Sequence, residues 1–229
     1  MEFFNRAYEG RPLWETDRPQ PEFVRLEQEG AITGRVLDVG CGTGETAIFL
    51  AHRGHVVWGI DFAENAIRKA ERKAVERGVP VTFRVASALD LAHLGATFDT
   101  AVDCGLFHVF LDAHRPVYAA NLATVVVPGG RLFLLSFSEQ EPTDWGGPRR
   151  VTQAEIRETF RSGWEVRSIR AARYEVTTPG VEGRAWLAEV VRTDDRPTPA
   201  ERYQVSVGST PRPPGTDRGG GAPPRRSPD

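Results

Sequence analysis

The positions of apolar and polar residues divide residues 20–192 into short buried segments and amphipathic segments that alternate along the chain. Continuous apolar runs predict strands at 35–40, 55–60, 79–85, 98–103, 131–136, 164–175 and 183–192. Apolar residues at helical spacing predict helices at 20–29, 44–53, 63–77, 113–126 and 152–160. Strands that alternate with helices are typical of a mostly parallel sheet covered on both faces. The pattern therefore predicts a doubly wound α/β fold.

The apolar pattern ends near Thr193, and Pro, Gly, Arg and Asp dominate the residues that follow. Such a composition cannot bury enough apolar surface to offset the entropy lost on folding. We therefore expect one domain over residues 1–193 and a disordered tail over 194–229, in which only 203–207 resembles a strand. Within the domain, residues 1–30 are expected to cover the substrate.

A glycine-rich turn joins the first predicted strand to the next helix, in the run Val36-Leu-Asp-Val-Gly-Cys-Gly-Thr-Gly-Glu45. A strand, a glycine turn and a helix in this order bring backbone groups close to a nucleotide-like ligand. In the dinucleotide fingerprint G-x-G-x-x-G/A the last position would fall on Glu45, whose carboxylate would repel a diphosphate.

The observed spacing is G-x-G-x-G, with Asp38 before it. S-adenosylmethionine carries an ammonium and a sulfonium and no phosphate, so acidic neighbours suit it better than they suit NAD. In this run, the residues expected to bind the cofactor are Asp38, Gly40, Cys41, Gly42 and Gly44.

A second acid, Asp61, follows the second predicted strand about twenty residues after the glycine turn, the offset of an acid that bridges ribose hydroxyls. On position alone, Asp61 could equally cap the helix predicted at 63–77. Together with the glycine turn, the ribose role is the preferred interpretation. Phe62 is expected against the adenine, with a place in the core as the alternative.

Composition and charge narrow the function further. A chain of 229 residues with 40% hydrophobic and 26% charged residues has the balance of an ordinary globular enzyme. The net charge of −2 gives no reason to expect DNA or RNA as a partner. Two cysteines are too few for a disulfide framework or a metal cluster, and no apolar run has the length of a membrane span. We expect a cytoplasmic protein that acts on a small molecule, without a metal.

The run from Val36 to Ala47 resembles motif I of the class I methyltransferases, which use S-adenosylmethionine. Phe98-Asp99, the run from Asp103 to His108 and Pro128-Gly-Gly130 look like later motifs of the same superfamily. This resemblance implies a Rossmann-like sheet of seven strands, mostly parallel, with the last strand antiparallel. It also implies that Asp103 lies at the cofactor.

A narrower resemblance rests on the runs 14–21, 103–110 and 145–150. They look like a branch of actinobacterial small-molecule methyltransferases that is similar to the thiopurine and tellurite-resistance methyltransferases and to enzymes methylating quinones and hydroxyquinolones. The resemblance covers about residues 8 to 192, and substrates vary freely within such branches.

One position departs from the family pattern. After the third strand such enzymes usually carry Gly-Asp-Ala, whose acid accepts a hydrogen bond from the adenine amino group, whereas this chain has Ala86-Ser87-Ala88. A serine oxygen accepts the same bond as a neutral partner, and charge-assisted bonds are roughly twice as strong. Ser87 and Ala88 are therefore expected at the adenine, with modest cofactor affinity.

His108 is the candidate catalytic residue. A sulfonium already makes its methyl group electrophilic, so the protein mainly aligns a nucleophile and needs a general base only for a protonated acceptor. His108 follows the fourth predicted strand, at the edge where open α/β sheets bind ligands, and imidazole titrates in a suitable range. The alternative is that His108 only packs against or positions the substrate.

Aromatic residues in segments without clear periodicity predict a pocket for a flat acceptor, although each single one could instead belong to the core. Arg149 could hold an anionic acceptor oxygen or be exposed. The residues expected at the acceptor are Trp14, Phe107, His108, Trp145 and Arg149.

Two classes of function remain open from the sequence. One is a methyltransferase acting on oxygen, nitrogen or sulfur of a small aromatic or heterocyclic molecule. The other is a non-catalytic protein that binds S-adenosylmethionine or S-adenosylhomocysteine on the same fold. An NAD-dependent oxidoreductase is a weaker third alternative, disfavoured by Glu45.

Overall fold

The computed structural model describes residues 2–144, 147–177 and 182–193. Within these residues it confirms the predicted α/β architecture, a seven-stranded and mostly parallel sheet with helices on both faces. The tail predicted at 194–229, its possible strand at 203–207 and the expected acceptor residue Trp145 lie outside the described residues.

The helices of the described part of the chain are α1 (Glu2–Ala7), α2 (Pro21–Gln28), α3 (Glu45–His52), α4 (Glu64–Glu76), α5 (His114–Val125) and α6 (Gln153–Thr159). The strands are β1 (Arg35–Val39), β2 (Val56–Asp61), β3 (Thr82–Val85), β4 (Phe98–Cys104), β5 (Val126–Phe137), β6 (Trp164–Glu175) and β7 (Glu182–Arg192). Short 3₁₀ turns lie at Ala92–Leu94 and Phe107–Val109.

The strands follow the order β3-β2-β1-β4-β5-β7-β6, and β7 is antiparallel to both of its neighbours, as the family resemblance implied. From β1 the chain runs to β2 and β3 on one side, and then returns across β1 to β4 on the other side. Such a reversal leaves a crevice outside the carboxyl ends of the two central strands, where open α/β sheets bind ligands. Here those strands are β1 and β4.

Two hydrophobic cores cover the two faces of the sheet. Along β1, Leu37 and Val39 belong to one core and Val36 to the other, since successive side chains of a strand point to opposite faces. Apolar residues of α5 and α6 close the first core, and those of α2, α3 and α4 close the second. The central strands β1 and β4 are buried along most of their length, and strands buried on both faces read as nearly continuous apolar runs, which is why the sequence predicts them.

The structure differs from the prediction at two places. Helix α1 was not predicted, because six residues are too short to show a helical period; it is held instead by Asn5, whose side chain accepts a hydrogen bond from the Asn65 backbone N–H. Strand β5 begins at Val126 rather than at 131, because Val126 pairs with Phe98 before the register shifts.

None of the described helices combines the length and the apolar character that a membrane crossing requires. Nor does the described part of the chain group three or more His, Cys, Asp or Glu side chains as candidate metal ligands.

We predict that Gly44→Ala destabilises the domain more than Gly78→Ala does. Both glycines have positive φ, of 84° and 68°, so alanine costs about 1–2 kcal/mol at either position. A Cβ atom at Gly44 would also lie 2.7 Å from Phe83 Cζ and 2.9 Å from Ala70 Cβ, whereas at Gly78 it would meet no atom within 4 Å. Overpacking adds about 1–3 kcal/mol at Gly44. Urea unfolding measures both losses, and equal losses would contradict the close approach of α4 and β3 at this turn.

Candidate functional site

A cleft that is partly open to solvent lies at the carboxyl ends of β1 and β4. Three parts of the chain line it: the N-terminal segment before α2, the glycine turn with the start of α3, and the ends of β4 and β6. The lining residues used below are Tyr8, Trp14, Glu15, Asp38, Glu45, Cys104 and Tyr174.

The glycine turn is fixed by Asp61 at the end of β2. The Gly42 N–H donates to Asp61 Oδ2 over 3.0 Å, and the Ala63 N–H donates to Asp61 Oδ1 over 2.8 Å. Burial nevertheless raises the pKa of Asp61 above its ordinary value. The N-cap of α4 is Ala63, so Asp61 is not the helix cap that the sequence left open. It joins the turn after β1 to the end of β2.

Asp38 is a buried carboxylate that lines the cleft, as expected for a cofactor residue. It is 1% exposed, and neither of its oxygens has a hydrogen bond of ordinary geometry within the described residues. Burial raises the pKa of Asp38 to about 8, and the backbone N–H of Ala47 offsets only part of this effect. A buried acid without a partner is costly, and a cationic ligand would supply the missing partner.

Asp103 does not face the cleft, which corrects its expected contact with the cofactor. Its side chain is fully buried at the end of β4 and accepts hydrogen bonds from the backbone of Leu106 and Phe107. The Tyr118 hydroxyl donates to its other oxygen over 2.7 Å. Burial raises the pKa of Asp103 to about 6 despite these bonds. Asp103 therefore shapes the loop after β4 from within the core.

The surroundings of His108 do not suit a general base. Its ring is 5% exposed and stacks on Phe137 with centroids 5.2 Å apart. The Phe137 N–H donates to Nδ1 over 3.2 Å, so the lone pair of that nitrogen is already used. Burial and the nearby charge of Arg150 lower the pKa of His108 to about 3. In the ligand-free protein, the buried ring and its occupied Nδ1 therefore do not favour His108 as a general base.

Two other expected acceptor residues are engaged elsewhere. Phe107 is fully buried in the core, with its ring 6.0 Å from Phe160, and it does not line the cleft. The guanidinium of Arg149 is paired with Asp112 and Glu155, each over 2.6 Å. An aromatic ring and a guanidinium suit a flat anionic acceptor, but residue type does not determine which way a side chain points.

The residues expected at the adenine lie near the ends of β2 and β3. Phe62 is partly buried and meets the Phe4 ring edge-on at 5.8 Å, which extends the aromatic cluster of the N-terminal segment. Ser87 is exposed, and its hydroxyl oxygen accepts a hydrogen bond from the Leu89 N–H. Ala88, beside it, is buried. Ser87 therefore retains a donor and a second acceptor site for a ligand.

Lys73 on α4 is a residue that sequence reasoning missed. Its Nζ lies 3.0 Å from Glu15 Oε1, 3.3 Å from Asp17 Oδ1, 2.8 Å from Thr43 Oγ1 and 2.9 Å from Glu45 Oε1. Burial lowers the pKa of Lys73, but its hydrogen bonds with the two glutamates outweigh this, and the pKa is raised. Lys73 thus connects the N-terminal segment to the glycine turn. No short motif signals it, because its partners are about 30 to 60 residues away.

The charge of Glu45 is paired with two cations, although the case against a diphosphate treated it as an unpaired charge. Arg77 donates two hydrogen bonds to it, over 2.8 and 3.0 Å, in addition to the contact with Lys73. Burial raises the pKa of Glu45, but these two cations outweigh burial and lower it. Its charge is therefore balanced, and repulsion by Glu45 is a weak reason for excluding a diphosphate. The unpaired Asp38 is the stronger indication of a cationic ligand.

Tyr8 and Tyr174 complete the walls of the cleft. The Tyr8 hydroxyl accepts a hydrogen bond from Trp14 Nε1 over 2.9 Å and lies against the turn, 2.8 Å from where a Cβ atom of residue Gly42 would be. From the opposite side, the Tyr174 hydroxyl donates to the Cys104 carbonyl over 3.4 Å. Trp14 is thereby placed in the cleft, as the sequence predicts.

A glycine turn at the switch point of an open α/β sheet, with acids near the ends of β1 and β2, defines a Rossmann-like nucleotide-binding site. Known proteins that are similar to this chain narrow the class to one family. A family model described as a methyltransferase domain matches residues 36–130. The 2-heptyl-1-hydroxyquinolin-4(1H)-one methyltransferase of Mycobacteroides abscessus is 35% identical over 192 residues, which cover 80% of this chain and 85% of that protein.

Solved structures agree with this assignment. A structure determined for the conversion of a disulfide bond into a thioacetal group during echinomycin biosynthesis has a TM-score of 0.78 at 32% identity, covering 92% of this chain and 98% of that one. The Burkholderia thailandensis 1,6-didemethyltoxoflavin-N1-methyltransferase, bound to its substrate and S-adenosylhomocysteine, shares the fold with a TM-score of 0.65 at 22% identity, over 84% and 87% of the chains.

The chain belongs to the class I S-adenosylmethionine-dependent methyltransferases. This confirms the resemblance seen in the motifs and the expected cofactor. It also makes the protein an enzyme rather than a non-catalytic binder, and it removes the NAD-dependent oxidoreductase as an alternative.

We predict that Asp38→Asn changes how stability depends on pH in the ligand-free protein. The pKa of about 8 in the folded state lies above the unfolded value of 3.8, so the folded state holds the proton more tightly. The stability from protonated Asp38 is present in full below about pH 4 and is lost as the pH rises to about 8, at most about 1.4 kcal/mol per pH unit. Asn removes this titration, so the decline between about pH 5 and 8 becomes shallower.

Urea unfolding of the wild type and the variant over this pH range measures the difference. The matched control is Asp112→Asn, at an exposed carboxylate that pairs with Arg149 on the surface. The control is expected to follow the wild-type profile. Parallel profiles for Asp38→Asn and the wild type would show that Asp38 is ionised in the ligand-free protein.

Proposed function

We propose that the protein transfers a methyl group from S-adenosylmethionine to oxygen, nitrogen or sulfur of a small aromatic or heterocyclic molecule. The observation that carries the proposal is the unpaired, buried Asp38 beneath a glycine turn that opens into a cleft. The relatives support the acceptor class, because the Mycobacteroides and Burkholderia enzymes are named for heterocycles, a hydroxyquinolone and a toxoflavin precursor.

The residues of the cleft fit this cofactor. Its ammonium would supply the cation that Asp38 lacks, and Asp61 would accept hydrogen bonds from the ribose hydroxyls beside the turn. The backbone of Gly40, Cys41, Gly42 and Gly44 would line the amino-acid part, with Phe62, Ser87 and Ala88 at the adenine. When bound, the cofactor supplies a methyl group that the positive charge on sulfur has already activated.

The acceptor would lie at the end of the cleft formed by Cys104 and Tyr174, beneath Tyr8 and Trp14. None of these side chains is a base at neutral pH, since burial raises the pKa values of Cys104, Tyr174 and Tyr8. With His108 neutral and hydrogen-bonded, the protein contributes orientation and exclusion of water. We infer that it selects acceptors that are already anions at working pH, thiolates included, or neutral amines.

We also propose that the protein works in the cytoplasm, where its two cysteines, both free thiols, would stay reduced.

A screen of acceptors with methyl-labelled cofactor tests the function. Phenols, N-hydroxyquinolones, thiols and N-heterocycles are incubated with the wild type, and products are identified by mass. We expect labelled product from acidic heterocycles, and no product with Asp38→Asn at cofactor concentrations that saturate the wild type. S-adenosylhomocysteine binding without transfer to any acceptor class would contradict a small aromatic acceptor.

The pH dependence of turnover tests the absence of a protein base. For two acceptors of different acidity, the midpoint of the pH–rate profile is expected to follow the pKa of each acceptor, because the anion is the reactive form. His108→Asn should leave both midpoints unchanged, with turnover reduced only modestly by altered packing. A midpoint common to both acceptors that disappears in His108→Asn would restore His108 as the general base.

A further inference from the structure

Glu15 is a second buried carboxylate in the cleft, and it comes from the N-terminal segment rather than from the sheet. The residue is 8% exposed and lines the same cleft as Asp38 and the glycine turn. One oxygen, Oε1, is held by Lys73 Nζ over 3.0 Å. The other oxygen, Oε2, is buried and has no hydrogen-bond partner within the described residues.

A buried carboxylate oxygen without a donor destabilises the ligand-free protein, and a hydrogen-bond donor on a bound ligand would remove that cost. The contacts of Lys73 show which part of the cleft Glu15 belongs to. Lys73 also holds Thr43 Oγ1 over 2.8 Å and Glu45 Oε1 over 2.9 Å, so Glu15 is fixed to the glycine turn and the start of α3. It is not fixed to the Cys104 and Tyr174 end, where the acceptor is proposed.

We propose that Glu15 is a cofactor-binding residue: its free oxygen and Asp38 together bind the α-ammonium group of the cofactor. An ammonium has three N–H donors, which two carboxylates from different parts of the chain satisfy better than one. The N-terminal segment would thereby bind ligands that carry the amino group more tightly than ligands that lack it. This inference rests on the proposed cofactor site and adds a specificity determinant to it.

The test is a ligand–variant cycle measured by calorimetry without any acceptor. The ligands are S-adenosylhomocysteine and its desamino analogue, in which hydrogen replaces the amino group. Glu15→Gln keeps the size of the side chain and an oxygen for Lys73 but removes the charge. We expect this variant to bind S-adenosylhomocysteine about tenfold more weakly and the desamino analogue as the wild type does.

The matched control is Asp17→Asn. Asp17 also contacts Lys73, over 3.3 Å, but does not line the cleft. Its φ of 56° is a conformation that asparagine adopts readily, so the substitution keeps the backbone. The control is expected to leave both affinities within about twofold of the wild type, since an exposed contact contributes little. Should it weaken S-adenosylhomocysteine as Glu15→Gln does, the effect would belong to Lys73 and the proposal would fail.

The remaining outcomes are equally decisive. Equal weakening of both ligands by Glu15→Gln would show that Glu15 only closes the N-terminal segment, and no weakening would remove it from the site. Glu15→Asp, which keeps the charge and withdraws it by one methylene, is the second variant if the first does not fold, and it too should weaken only the ligand with the amino group. Wild-type protein that binds neither ligand would instead refute the cofactor site itself.

Discussion

The bridge that Asp61 makes between Gly42 and Ala63 is the constraint on which the site depends. Strands β1 and β2 are parallel neighbours, so their carboxyl ends lie side by side, and one backbone bond, from the Cys41 N–H to the Ile60 carbonyl over 2.8 Å, joins the turn after β1 to β2. A single carboxylate that accepts one hydrogen bond from each connection fixes the turn relative to the start of α4. The path of the backbone around the cleft follows from that contact.

The cleft contains more carboxyl groups than the protein itself pairs with cations. Glu45 is matched by Lys73 and Arg77, whereas Asp38 has no such partner in the described residues, and burial raises its pKa to about 8. Burying this group costs free energy in the ligand-free protein, and a cation bound beside it would offset part of that cost.

The sequence predicts those parts of the site that are local in the chain. Asp38, the glycine turn and Asp61 are each located by a strand that the apolar pattern reveals; Asp38 and the turn line one cleft, and Asp61 is hydrogen-bonded to Gly42 of the turn. Contacts between distant segments are not visible in that pattern: Lys73 meets Glu15 across 58 residues. The apolar pattern also does not show the direction in which a side chain points. Asp103 and Phe107 stand beside the cleft in sequence, yet both side chains are buried. Asp103 precedes Cys104 in β4, and successive side chains of a strand point to opposite faces, so Cys104 lines the cleft and Asp103 does not. In the turn after β4, His108 stacks on Phe137.

The N-terminal segment is attached to the domain at α4 and, through Arg18 and Gln20, at Glu175 of β6. Asn5 bonds to Asn65, Gly10 accepts from Lys69, and Glu15 pairs with Lys73, so successive turns of α4 hold successive parts of the segment. We expect ligand exchange to open this row of contacts, because Tyr8 lies against Gly42. The consequence is kinetic: the contacts of α4 with Asn5 and Gly10, which do not line the cleft, would influence how fast the spent cofactor leaves, so the residence time of the product and the rate of chemistry would be controlled by different residues.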